Sequence, residues 1–434
     1  MHALRVSEDG RFLTYADGTP FFYLADTAWD LFYRLNMEEA EAYFRIRSEQ
    51  GFNAIQAVLL GGILGSDTVN RNGRRALCLR EDGTGILESP DLMGEDSYWA
   101  QVKAMVTLAE QYGIYMALLP CWLNKYTEKG LFTLEGAECY GSFLGQYFAE
   151  HENIIWVMGG DYFHRKVDAT PFVHAIARGL KRTDGGAHLL TFHPGGGHTS
   201  CEFLEQWDYV DFHGAQSSHD FGGWGSHKLM AAMRAFAHKP YLDLETRYEN
   251  HGACWRYYDY KFDAADIRQV AYQNVLEGAC GQTYGHASIF AFSNPPDDLG
   301  SYGFYLKDMP SPGWKEALDA PGARHLTYLK QLRLSRPYFG FRAAPELVVS
   351  DDAFLGGHIS AGRAERYAYI YAPQGQPIKV YGGLLGGGAL RASWFNPRTG
   401  EEKQFALIPP RDALFVPPTQ GKDNDWVLIL DVLD

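Results

Sequence analysis

Two carboxylates in the chain close short apolar runs in the same way. Asp161 ends Ile154-Ile-Trp-Val-Met-Gly-Gly-Asp161, and Glu245 ends Tyr241-Leu-Asp-Leu-Glu245. They stand 84 residues apart, three units of about 28, the spacing expected for the ends of the fourth and seventh strands of a (β/α)8 barrel. Carboxyls so placed face each other across the barrel mouth, the arrangement that glycoside hydrolysis requires. One must stay protonated to donate to the leaving oxygen, and the other must be ionised, to attack the anomeric carbon or to stabilise its positive charge. The plainer reading is that Asp161 caps the following helix and Glu245 pairs with Arg247.

Polar and aromatic residues follow the other apolar runs. Asp26, in Ala25-Asp-Thr-Ala-Trp29, could accept hydrogen bonds from two adjacent sugar hydroxyls, or could cap a short helix. Trp29, Trp122, Tyr162, Tyr248 and Trp255 could offer flat faces to a sugar ring; singly, each is an ordinary core residue. Gln56, His193, Gln216, His219 and His286 complete the set of expected substrate contacts. A metal-dependent hydrolase barrel would carry His-x-His at its first strand, where this chain reads Leu24-Ala-Asp-Thr-Ala-Trp29, and no His-Glu-x-x-His occurs. We therefore expect no metal and no cofactor, with the histidines hydrogen-bonding to substrate or to the carboxylates. Gly195–Gly197 lacks the Lys-Ser/Thr of a phosphate loop and reads as a turn.

Positioning these residues falls to alternating strands and helices. Strands are expected at Phe21–Leu24, Ala54–Leu59, Tyr115–Leu119, Ile154–Met158, Leu189–Phe192, Tyr209–Phe212, Tyr241–Leu244 and Ser288–Phe292. Helical periodicity runs through Met37–Gln50, Tyr98–Tyr112, Cys139–His151, Pro171–Lys181, His227–His238 and Ala264–Leu276. Eight such units predict a (β/α)8 (TIM) barrel over residues 1–335, with Gly61–Gly94 as an extended loop after the second strand. From 336 to 434 short β-type runs separated by Gly/Pro turns predict a small antiparallel β-sandwich without helices.

Composition narrows the partners. The 434 residues carry a net charge of -14, which argues against nucleic acid and anionic membrane and suits a neutral sugar. Aromatic residues make up 15% of the chain (27 Tyr, 26 Phe, 10 Trp), more than a core of this size needs, so some rings are expected to face a ligand. The six cysteines are scattered, with no Cys-x-x-Cys, as for free thiols. No leader-like segment and no apolar run of membrane-spanning length is visible, so the expectation is a cytoplasmic protein; the oligomeric state is left open. Two other classes use the same features: a non-catalytic carbohydrate-binding barrel, and a lyase, isomerase or metal-dependent amidohydrolase.

The stretches Gly10-Arg-Phe-Leu-Thr-Tyr-Ala-Asp-Gly-Thr-Pro-Phe-Phe-Tyr-Leu-Ala-Asp-Thr-Ala-Trp29, Trp156-Val-Met-Gly-Gly-Asp161, His193-Pro194, Gln216-Ser-Ser-His219, Leu242-Asp-Leu-Glu245 and Gly281-Gln-Thr-Tyr-Gly-His286 recur in order along nearly the whole chain. In these the sequence resembles the apiosidase-like glycoside hydrolases, family 140 and its neighbours. The tail, with Trp394-Phe-Asn-Pro-Arg-Thr-Gly400, resembles the small collagen-binding-type β-domain that follows that barrel. The resemblance implies that Asp161 is the general acid/base and Glu245 the nucleophile of a retaining mechanism. Against the family pattern Asp-Gly-Glu-Pro the chain has Asp243-Leu-Glu245-Thr, and Ser218 stands where Gly is expected. A β-apioside is thus one candidate substrate among several glycosides.

Overall fold

The computed structural model describes residues 1–60, 69–122, 133–162, 168–204, 209–219, 225–236, 238–254, 257–298, 311–349 and 357–434, without the side chains of 162, 203, 204 and 257–259. Among the described residues, strands with parallel partners lie in chain order as β1 (Tyr23–Thr27), β2 (Ala54–Val58), β3 (Tyr115–Leu119), β4 (Ile154–Tyr162), β5 (Leu189–Pro194), β6 (His213–Gln216), β7 (Tyr241–Glu245) and β8 (Gly281–Tyr284). Six form one curled sheet in the order β8-β1-β2-β3-β4-β5, and β6 pairs in parallel with β7. Among the described residues, backbone bonds link the two groups: the Asp211 amide donates to the Leu190 carbonyl at 2.8 Å, and the Cys280 amide to the Tyr241 carbonyl at 2.9 Å.

Alternation along the strands sorts side chains into two layers. Ala54 and Val58 of β2, with Ala117 and Leu119 of β3 and Ile155 and Val157 of β4, fill the inner face. Ile55, Ala57, Met116, Leu118, Trp156 and Met158 face outward onto helices α2 (Tyr98–Gln111), α3 (Leu134–Tyr147) and α4 (Thr170–Thr183). Both faces are apolar, as expected for parallel strands covered on both sides. Helix α1 (Met37–Glu49) starts at a capping box made by Asn36 and Glu39, and α6 (Ala264–Leu276) at one made by Asp263 and Asp266. Helix α5 (Ser226–Phe236) follows β6.

Several boundaries differ from the sequence expectation. The sixth strand is His213–Gln216 rather than Tyr209–Phe212: Asp211 bonds through both its amide and its carboxylate to Leu190, which ends the approach and starts the strand after it. The eighth is the polar Gly281–Tyr284 rather than the apolar Ser288–Phe292, which folds into turns, with Ile289 and Phe290 amides donating to the His286 carbonyl. Hydrophobicity reports burial, and a buried turn is as apolar as a strand. Helix α3 begins five residues before the expected Cys139, because Thr133 caps it by accepting from the Gly136 amide. The 61–94 stretch contains a hairpin, Leu77–Leu79 with Gly85–Pro90; residues 61–68 of it lie outside the described residues.

After helix α7 (Pro321–Leu334), which the periodicity did not reveal, come β9 (Arg342–Ala343), β10 (Ser360–Arg363), β11 (Tyr367–Ala372), β12 (Ile378–Val380), β13 (Leu390–Phe395), β14 (Glu402–Ile408), β15 (Ala413–Phe415) and β16 (Trp426–Val432). They make an antiparallel sheet ordered β9-β10-β11-β16-β13-β14 and a pair β12-β15. A short 3-10 turn, Pro345–Leu347, leads into a single antiparallel bridge from Val348 to Val380. Tyr367, Tyr369, Tyr371, Val427 and Ile429 pack on Ile267, Tyr272, Leu326 and Leu329 of α6 and α7. A buried ion pair from Arg268 to Asp425, 2.8 Å, joins the same two bodies. Among the described residues, no helix is long and apolar enough to cross a membrane.

Candidate active site

The end of β4 leaves ordinary strand geometry. Gly159, Gly160 and Asp161 all have positive φ (93°, 88° and 43°), and the pairing with β5 slips across them. A Cβ at 159 would collide with the His193 carbonyl oxygen at 2.4 Å, and one at 160 would press on the Trp122 ring at 3.0 Å, so both positions favour glycine. Asp161, which is not glycine, pays for this conformation with roughly 1–2 kcal/mol of strain, the kind of distortion that clusters where a side chain must be aimed. Its Oδ1 accepts from Gln216 Nε2 at 2.9 Å. Burial, followed by the charge of Glu245, lifts the Asp161 carboxyl from 3.8 to about 6.

Glu245 has the opposite fate. It ends β7 and is 4% exposed. His219 Nε2 lies 3.0 Å from its Oε1, and His193 Nε2 lies 3.2 Å from its Oε2. The second contact falls short of good hydrogen-bond geometry but still pairs the imidazole with the carboxylate. Burial alone would raise this carboxyl; the two imidazoles outweigh it and hold the group at about 2. His193 is the natural counter-charge. Its Nδ1 lies 3.0 Å from the Pro194 carbonyl, which can only accept, so that nitrogen carries a hydrogen and Nε2 is left to face Glu245. Burial disfavours the imidazolium, but the Glu245 carboxylate prevails and the His193 pKa is raised.

Rings close the walls. Trp29 meets Trp122 edge-on at 5.2 Å and His193 at 5.6 Å, and its Nε1 donates to the Tyr248 hydroxyl at 3.1 Å. Tyr248 in turn lies 4.3 Å from the His219 ring. Thus Asp161, Glu245, Trp29, Trp122, His193, Gln216, His219 and Tyr248 come together at one end of the parallel strands.

Three expected contacts are instead engaged by the protein itself. Asp26 follows the inward Ala25 on β1 and points outward to the helices, where its carboxylate accepts from Arg47 Nε (2.6 Å), Tyr43 (2.7 Å) and the Thr27 amide (2.9 Å). It is a buried ion-pair partner, held by the protein's own donors where sugar hydroxyls were expected. Gln56 points inward but is fully buried, bonding the Leu244 carbonyl at 2.9 Å beside Glu245. His286 accepts from the Ser288 amide at 3.0 Å and holds a turn; burial pushes it down to about 3. The Tyr162 side chain and Trp255 lie outside the described residues. Sequence reasoning overlooked His251, whose ring stacks on His219 at 4.4 Å; its position three residues after Tyr248 was the available signal. Ser218, with φ 62°, occupies a left-handed position, which explains why a glycine was expected there.

This arrangement sets a carboxylic acid that is protonated up to about pH 6 against a carboxylate ionised down to about pH 2. The apiosidase-like catalytic-domain model matches residues 7–340, which include both groups. The chain belongs to the apiosidase-like family. Residues 344–431 match the model described as "Putative collagen-binding domain of a collagenase". A solved glycoside hydrolase is similar over 99% of this chain and 97% of its own, at 28% identity and TM-score 0.88. A glycoside hydrolase family 5 structure from Bacteroides vulgatus is similar over 99% of this chain and 93% of its own, at 27% identity and TM-score 0.90. A β-L-arabinopyranosidase from Geobacillus stearothermophilus shares the fold at 10% identity, with TM-score 0.55 over 95% of this chain and 97% of its own. No curated protein matches the chain. This apiosidase-like protein is a glycoside hydrolase.

Proposed function

We propose that this apiosidase-like hydrolase cleaves short oligosaccharides or glycosides with retention, within a closed (β/α)8 barrel spanning 1–335 that is followed by a β-sandwich domain, 336–434. Asp161 donates its proton to the glycosidic oxygen as the C–O bond breaks, and Glu245 forms a bond to the anomeric carbon. Asp161, now ionised, takes a proton from water, which displaces Glu245 and regenerates both groups. The single observation that carries this reading is the opposed ionisation of the two carboxyls, about 6 and about 2. Trp29, Trp122 and Tyr248 supply walls for the apolar faces of one sugar ring, while Gln216, His193 and His219 orient the carboxylates. A β-apioside belongs to the candidate panel because the family bears that activity in its name.

The test is a panel of aryl glycosides, β-apioside included, followed by proton NMR of the first-formed anomer. Retention is expected, with carboxyl groups about 5–5.5 Å apart; inversion, which goes with about 6.5–9.5 Å, would overturn the nucleophile role. Glu245→Ala should lose turnover by orders of magnitude and regain part of it with external azide, giving a glycosyl azide of opposite anomeric configuration.

A further inference from the structure

The segment that follows β7 grips one residue, His219, at three points. Its Cys254 amide donates to the His219 carbonyl at 2.7 Å, and its His251 ring stacks on the His219 ring at 4.4 Å with 29° between planes. Tyr248, from the same segment, meets the His219 ring at 4.3 Å and 60°. Cys254 and Asn250 adopt positive φ (55° and 61°), and the Phe262 amide bonds the His251 carbonyl at 3.0 Å. His219 is thus fixed through its backbone and by these two rings, and its Nε2 faces Glu245 Oε1 at 3.0 Å.

We propose that His251 is a positioning residue for Glu245, acting through His219: its stacked, uncharged ring fixes the plane in which His219 presents Nε2–H to the carboxylate. The inference rests on the reading of Glu245 as nucleophile. His251 Nδ1 lies 2.7 Å from the Gly252 carbonyl, which only accepts, so this nitrogen carries the hydrogen of the neutral ring. The titratable groups around it are His219 and Glu245, Tyr248 and Glu249 on its own segment, Lys261 on the strand paired with Gly252, and His286. Burial first, and then His219, hold His251 well below its ordinary value, so it does not compete as a second cation. A ring that stays neutral leaves the positive side of the site to His193 and the proton on Nε2 of His219 to Glu245.

The experiment compares His251→Phe, which keeps a flat ring, with His251→Ala, which removes it. Thermal unfolding identifies the folded samples, and carbon-13 NMR of the Glu245 carboxyl reports its titration independently of turnover. His251→Ala should raise the Glu245 midpoint from about 2 by about one pH unit, tenfold in ionisation. It should also lower kcat by about 10- to 100-fold with KM changed less than about twofold, as misplacement of a reacting group does. His251→Phe should restore most of both. An unmoved Glu245 titration in His251→Ala, or a Phe variant no better than Ala, overturns the proposal. Retained turnover in Glu245→Ala would instead overturn the nucleophile reading, while the carboxyl titration still judges His251.

Discussion

Replacing Glu245 with Gln removes one of the two causes that keep Asp161 protonated, and the size of the response follows from the site. Asp161 titrates at about 6 instead of 3.8, a bias against ionisation of about 3 kcal/mol at about 1.4 kcal/mol per pH unit. Burial is the larger cause and the Glu245 charge the second; Gln216 and His193 pull the other way. Gln at 245 keeps the burial and deletes the charge, so the Asp161 midpoint should fall from about 6 towards about 5. Carbon-13 NMR of aspartate-labelled protein, with Asp161→Asn identifying the resonance, measures this between pH 3 and 8. In the wild type the same two groups should give kcat/KM a bell-shaped profile, rising through about 2 as Glu245 ionises and falling through about 6 as Asp161 loses its proton. An Asp161 midpoint that stays at 6 or rises in the Gln variant would refute the coupling between the carboxyls. A wild-type alkaline limb above pH 8 would refute the assignment of Asp161 as acid.

Stability should also depend on Asp161. Its folded value lies above the ordinary one, so the fold resists its ionisation: the penalty is absent below about 3.8 and complete above about 6. Asp161→Asn should therefore be more stable than wild type at pH 8, by up to about 3 kcal/mol, and equal to it at pH 3.5, by urea unfolding; superposed curves at pH 8 would contradict this. Asp26→Ala strands the Arg47 charge inside the protein and should cost about 3–5 kcal/mol, with KM of the folded enzyme unchanged; a tenfold higher KM at intact stability would return Asp26 to the substrate. Gly160→Ala combines φ of 88° with a Cβ 3.0 Å from the Trp122 ring. It should lose about 1–3 kcal/mol and a large part of kcat, and an unchanged melting temperature would show that the turn is not constrained.

The carboxylate pair was legible because each group ends an apolar run whose strand character is strong, and because strand spacing puts such ends on one face. The rings Trp29, Trp122 and Tyr248 were legible for the same reason. The polar strands were not: His213–Gln216 and Gly281–Tyr284 carry few apolar residues, and what makes them strands is backbone pairing with β7 and β1. Helix α7 escaped notice because its buried face is completed by the C-terminal sheet, a partner that no local window contains.

By itself the sequence determined which residues could do the chemistry and the order in which strands deliver them, since both depend on residue type and local period. Tertiary structure alone decided how each group ionises and which way it faces. Asp26 and Asp161 are the same residue type in the penultimate position of their strands, yet one side chain points outward to Arg47 and the other is turned by two glycines towards Gln216 and Glu245. Likewise the gap between about 6 and about 2 arises from neighbours brought in from β5, β6 and the loop after β6. Charge, burial and direction are properties of what surrounds a side chain, and those surroundings exist only once distant segments have packed together.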